Sequence, residues 1–182
     1  MGTFEPLQEI ADANVGNVWL GQRRCPNPTC HAHLFCIHDR GGSVLRTYPP
    51  QRVDFEPKNI PDRIVRTFTE SLSCYAENLH VAAAIMIRRT LEELCEDKKA
   101  GGNSLKDRIA ALQSIVVLPK ELFTALDDLR LLGNDAAHIE AKTYDSVGTA
   151  EIEVAIELTK EILKAVYQLD GLVERLRSLK KP

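Results

Sequence analysis

Periodicity and composition predict a mainly α protein, a bundle of four to five helices behind a small antiparallel β-ribbon. Aromatic residues are 5% of the 182 positions, while Leu, Ile, Ala and Glu abound, a balance that favours helices over a β-sandwich. From Pro61 onward apolar residues recur at helical spacing. Before Pro61 the apolar runs are short, β-prone and parted by Pro, Gly and Asn, the texture of strands and turns.

The remaining bulk properties narrow the function classes. Hydrophobic content of 44% and charged content of 27% are ordinary for a globular chain. A net charge of −3 gives no global basic field to draw nucleic acid, so such binding would need a local patch. No apolar run reaches the length of a membrane span, and no charged-then-apolar leader opens the chain, so no membrane partner is expected. The five cysteines are odd in number, and Cys74 and Cys95 fall inside helical patterns, which fits a reducing, cytoplasmic setting better than a disulfide scaffold.

In chain order, residues 1–16 are polar and without sustained period, and are expected to form a flexible N-terminal arm. Residues 17–60 hold the ribbon and its Pro-rich linker. Val18-Trp19-Leu20, His33 to Ile37 and Val44 to Tyr48 are the β-prone runs, with turn signals at Cys25 to Cys30 and Asp39 to Gly42. The prolines between Tyr48 and Pro61 forbid regular pairing. Residues 61–182 are the bundle. Ile64, Val65, Phe68, Leu72 and Tyr75 mark a first helix, and a second runs from about Asn78 to Cys95. Leu105, Ile109 and Leu112 mark a short third helix, and Leu122, Leu126, Leu129 and Leu132 a fourth that starts at Pro119. One long final helix carries Ile152 through Leu176, with surface pairs Glu157–Lys160 and Glu161–Lys164.

Three places could hold chemistry. Cys25-x4-Cys30-His31-x-His33-x2-Cys36-x-His38 gathers thiols and imidazoles that suit zinc. Cys25 and Cys30 lead as ligands, with Cys36, His33 or His38 completing the set; the spacing is stretched and a second knuckle is missing, so a reduced thiol pair in a loop is the competing reading. Arg88 and Arg89 could bind phosphate, or Arg89 could pair with Glu93, Asp127 or Asp128. The third place is Leu129 to His138, where Gly133, Asn134 and Asp135 interrupt a good helical pattern. At helical spacing Asn134 and His138 lie about 40° apart and share a face, with Arg130 bordering the same surface. The plainer reading is that Gly133 admits a neighbouring helix, with Asn134 and His138 hydrogen-bonded inside the contact. No nucleophile, P-loop, dinucleotide fingerprint or H-E-x-x-H accompanies these residues, which leaves acid–base or phosphate-positioning work by His138 with an arginine.

The order of Ile60-Pro61, Ala82-Ala83-Ala84 with Arg88-Arg89-Thr90-Leu91-Glu92, and Arg130-x2-Gly133-Asn134-x-Ala136-Ala137-His138 resembles the bacterial family called domain of unknown function 4145, over about residues 48–170. That resemblance implies the HEPN superfamily of helical bundles, found in toxin–antitoxin, restriction and phage-defence systems. It implies a homodimer, with RNA or a protein from a defence or toxin–antitoxin operon as partner. In active superfamily members a metal-independent ribonuclease site forms where an R-x4-6-H motif from each protomer meets at a dimer cleft. Carried over, His138 matches the histidine and Asn134 the polar residue after the arginine, while the arginine's own position is Gly133. Arg130 is separated from His138 by seven residues, and Arg88 or Arg89 is the substitute a neighbouring helix could supply. Two functions are therefore expected in competition. One is a non-catalytic dimeric interaction or RNA-binding module. The other is an endoribonuclease with His138, Asn134 and Arg130 as catalytic residues and Arg88 and Arg89 as phosphate ligands. Zinc is the one cofactor the residues suggest, in a structural role.

Overall fold

The computed structural model describes residues 5–6, 13–24, 32–49, 54–138 and 147–180. The chain divides into two compact units, Met1–Arg52 and Val53–Pro182. The first is a small antiparallel sheet of β1 (Glu5–Pro6), β2 (Ala13–Val15), β3 (Val18–Arg24), β4 (His33–His38) and β5 (Val44–Tyr48). Strand order is β1-β3-β4-β5, with β2 also paired to β3. The stretch expected to be an arm thus contributes two strands: β1 pairs with Arg23 and Arg24, and β2 with Val18 to Leu20. Gly16 closes the β2–β3 hairpin at φ +66°, a conformation that a residue with a Cβ resists. Between β4 and β5 the Asp39 carboxylate accepts from Ser43 N–H at 2.9 Å, and Gly42 takes φ +82°.

The second unit is helical: α1 (Asp62–Ala76), α2 (His80–Asp97), α3 (Leu105–Leu112), α4 (Lys120–Ala137), α5 (Thr149–Tyr167) and α6 (Leu169–Ser178). Pro61 and Pro119 stand at the N-caps of α1 and α4, where a missing N–H costs nothing. Ser104 and Asp107 form a reciprocal capping box on α3. The periodic stretch from Ile152 to Leu176 is two helices rather than one, broken at Gln168. There the Gln168 side-chain amide donates to the carbonyls of Glu56 (2.8 Å) and Lys58 (3.0 Å), so a turn forms where periodicity alone shows none.

α2 is the central element and packs against α1, α3, α4 and α5. Its Ala83, Ala84, Ile87, Leu91 and Leu94 are buried with Ile64, Phe68 and Leu72 of α1, Leu126, Leu129 and Leu132 of α4, and Ile152, Ile156, Ile162 and Leu163 of α5. Small residues early in α2 let its neighbours approach, and the branched residues that follow fill the space. Phe55 joins this core from the preceding segment by an edge-on contact with Phe68 at 4.8 Å between ring centres. Thr90 and Thr159 are buried without loss because each hydroxyl donates to a carbonyl one turn back, on Met86 and Ala155. α6 stands apart from the core, with Leu169, Leu172, Val173, Leu176 and Leu179 exposed.

Candidate functional site

The candidate site is the C-terminal end of α4 where it crosses α2. Leu126, Leu129 and Leu132 bury one side of α4, and Gly133 follows them at the crossing. A Cβ placed on Gly133 would lie 2.5 Å from Cβ of Arg88 and 3.1 Å from the Ala84 carbonyl oxygen. The glycine is therefore a packing requirement: α2 and α4 approach so closely that no side chain fits between them. The Arg88 stem runs over Gly133, and its guanidinium donates to the Arg130 carbonyl at 3.1 Å and pairs with Glu92 at 3.3 Å.

The other cations near the crossing are also committed. Arg130 donates from Nε to Asp127 at 2.7 Å, and this bond holds the Asp127 carboxyl below its usual range. Arg89 pairs with Glu93 at 3.3 Å, and Arg63 reaches the same Glu93 oxygen from α1 at 3.3 Å. Two guanidiniums thus offset the cost of burying that carboxylate. The pairing of Arg89 with Glu93 is the structural role weighed for it from spacing.

His138 departs from the helical-face expectation. α4 ends at Ala137, and His138 is its C-cap at φ −130° and ψ 115°, so the angular argument relating it to Asn134 stops one residue short. Gly133, Asn134 and Asp135 are poor helix formers, which accounts for the early end. The link between Asn134 and His138 is a backbone one, His138 N–H to the Asn134 carbonyl at 3.0 Å. The His138 side chain is exposed, not sealed within the helix contact, and its ring makes no hydrogen bond with a described residue. Asn134 and Asp135 are half-buried beside it. The structure therefore brings Arg88, Arg130 and Gly133 together, and leaves His138 at the open end of the same helix.

In the sheet unit, Cys25 and Cys30 lie outside the described residues. His33 and Cys36 are three apart on β4 and project to opposite faces, His33 exposed and Cys36 buried. His38 shares the Cys36 side, where its ring stacks with Trp19 and its Nε2 lies 3.3 Å from Arg23 Nη2. Among the described residues no group of three or more His, Cys, Asp or Glu is gathered for a metal ion.

Sequence reasoning missed a polar cluster where the C-terminal turn of α1 meets the N-termini of α2 and α5. Tyr75 of α1 donates to Glu153 of α5 at 2.5 Å, and Thr149 Oγ1 lies 3.2 Å from His80 Nε2. Burial, reinforced by the Glu153 carboxylate, pushes the Tyr75 phenol up to about 12. Partners 78 and 69 positions apart leave no signal in local spacing, so only the fold could have found them.

The family model for a domain of unknown function (DUF4145) matches residues 69–179, and the chain belongs to this family. The match opens inside α1 and closes just past α6, so the sheet unit lies outside it. No curated protein and no solved structure is detectably similar to the chain.

Proposed function

We propose that the helical unit is a HEPN-type module that acts by association, as a homodimer that docks a partner, without cleaving RNA. The observation that carries this reading is the Gly133 contact: the position at which the superfamily resemblance expects a catalytic arginine has no room for a side chain against Arg88 and Ala84. A phosphodiesterase needs a cation on the charge that develops at phosphorus. Arg130 is tied to Asp127, and Arg88 to Glu92 and a backbone carbonyl. Self-association is supported by α6 and its C-cap, whose exposed Leu169, Leu172, Leu176 and Leu179 fall at the three- and four-residue intervals of a helix-pairing seam. The resemblance suggests a setting in bacterial defence or toxin–antitoxin systems.

Light scattering at micromolar concentration should give twice the chain mass, and Leu172→Glu with Leu176→Glu should halve it. A monomeric parent protein would overturn the association reading. One observation favours the second reading, an endoribonuclease: the His138 side chain is exposed just past the end of α4. Labelled RNA incubated in chelator with parent protein and with His138→Ala should stay intact in both. Cleavage by the parent that the variant loses would establish the nuclease and assign His138 as its acid–base group.

A further inference from the structure

The first turns of α6 and the segment that precedes α1 flank a cavity of about 370 Å³, wholly within the helical unit, that neither reading of the α2–α4 crossing uses. That volume falls at the small end of ligand pockets. Its walls are tied to each other. The Gln168 amide donates to the Glu56 and Lys58 carbonyls at 2.8 and 3.0 Å, and Ile60 N–H donates to the Pro57 carbonyl at 3.1 Å. These bonds hold residues 56–60 in a turn beside the start of α6.

Two residues at this cavity run against local preference. Gly171 stands inside α6, where only proline is a poorer helix former. Unlike Gly133 it is not held by a neighbouring helix: among the described residues, a Cβ there would meet only the Asn59 side-chain amide nitrogen, at 3.0 Å. Asn59 itself takes φ +62°, a left-handed conformation uncommon for a residue with a side chain. Such departures from local preference gather at sites that serve function. The charges lining the cavity are also uncommitted. The Lys58 ammonium, the Arg175 guanidinium and the Glu56 carboxylate line it, and none makes a hydrogen bond or ion pair with a described residue. Two cations beside one carboxylate match a ligand with a doubly charged anionic group and a separate hydrogen-bond donor. A free amino acid brings one negative charge and leaves a cation unmatched. Inorganic phosphate brings the charge and leaves Glu56 and the apolar Leu172 wall without a partner. A mononucleotide brings a phosphate with up to two charges, a ring face for Leu172 and base N–H groups for the carboxylate. Guanine offers two of those N–H groups side by side, one for each carboxylate oxygen.

We propose that this cavity binds a guanine mononucleotide, with Lys58, Arg175 and the Asn59 amide donating to the phosphate and Glu56 accepting from the base. Glu56, Lys58, Asn59 and Arg175 are all exposed, so a ligand enters from solvent directly. Leu172 is shared between the cavity wall and the α6 seam, and the test leaves it in place. The proposal does not rest on the helical unit being a HEPN-type module, and it stands or falls on different residues.

The test is isothermal titration calorimetry on the full chain with guanosine 5′-monophosphate, adenosine 5′-monophosphate, guanosine, ribose 5-phosphate and inorganic phosphate. Guanosine monophosphate should bind, and guanosine, ribose 5-phosphate and inorganic phosphate should each bind at least about tenfold more weakly. Lys58→Gln and Arg175→Gln should each weaken guanosine monophosphate by about tenfold, the loss of one charge-assisted hydrogen bond. Glu56→Gln should bring guanosine monophosphate down to the affinity of adenosine monophosphate. Gly171→Ala pushes the Asn59 amide and should weaken binding, yet its melting temperature should equal or exceed the parent's because alanine favours the helix. That pairing separates a glycine kept for a ligand from one kept for packing. Failure of guanosine monophosphate to bind, inorganic phosphate binding as tightly as the nucleotide, or unchanged affinity in the Lys58→Gln, Arg175→Gln double variant would each overturn the proposal. Equal affinity for the two nucleotides would overturn the assignment of Glu56 to guanine.

Discussion

Replacing Gly133 by alanine sets two opposing effects against each other at one atom. In a helix interior alanine is favoured over glycine by about 1 kcal/mol. Against that, the new Cβ would lie 2.5 Å from Arg88 Cβ and 3.1 Å from a backbone oxygen. Cβ of Arg88 is fixed by the α2 backbone and cannot rotate away, so relief requires the two helices to part. Overpacking of this kind costs about 1–3 kcal/mol, and parting α2 from α4 disturbs Leu129 and Leu132 in the core as well. We expect a net loss of about 1–2 kcal/mol. For a helical unit spanning Val53–Pro182 that corresponds to a melting temperature lower by about 3–8 °C. Thermal unfolding by circular dichroism at 222 nm measures it. The same substitution in an Arg88→Gly background, where the blocking Cβ is gone, should cost less, so the double-mutant cycle should show coupling. A melting temperature equal to or above that of the parent would refute the close-contact argument, because propensity would then have outweighed sterics.

Other consequences are testable in the same protein. Ser104→Ala removes the hydroxyl that accepts from Asp107 N–H at 3.2 Å and donates to its carboxylate at 2.8 Å; a loss of about 1 kcal/mol is expected by urea titration. The Tyr75 phenol is raised to about 12, and Tyr167 is raised too by burial and its bond to Asp97. A raised pKa contributes stability that is complete below the unfolded value near 10 and lost as pH rises through the folded one. Ultraviolet titration should therefore show these two phenols ionising late, with stability falling above about pH 10, and Tyr75→Phe should remove one late step. Burial pushes the Cys95 thiol up to about 11. Native protein treated with iodoacetamide at pH 8 should keep Cys95 unmodified by mass spectrometry, while urea-unfolded protein should label it.

What could be read in the sequence depended on whether the signal was local. Helical periodicity is set within a turn or two, and Ile64, Phe68 and Leu72 announce α1 without help from the rest of the chain. Caps are local too, which is why Pro61 and Pro119 mark two starts correctly. The break between α5 and α6 was illegible because Gln168 answers to carbonyls more than a hundred positions earlier. β1 and β2 were hidden for a related reason: two- and three-residue strands exist only because β3 offers them an edge. In the candidate site, Gly133 was legible as a close contact, since glycine in a good helical run has few other uses. The position of His138 was not, because extrapolating 100° per residue presumes that the helix continues, and three weak formers in succession end it at Ala137.

Fold and function meet in the same atoms. A helix that packs at glycine distance gains contact along its whole crossing, and it gives up the chance to place a side chain there. The resemblance expects a cation at that position, and Arg88 already occupies the volume a side chain on residue 133 would need. Arg88 cannot simply stand in, because its guanidinium is spent on Glu92 and on the Arg130 carbonyl, both directed along the bundle. To free it for phosphate, two bonds would have to break and the stem would have to leave the surface that seats α4. Catalysis by this crossing would thus cost the packing that builds it. An association role makes no such demand, since it can use α6 and the exposed end of α4 while the α2–α4 contact remains as it is.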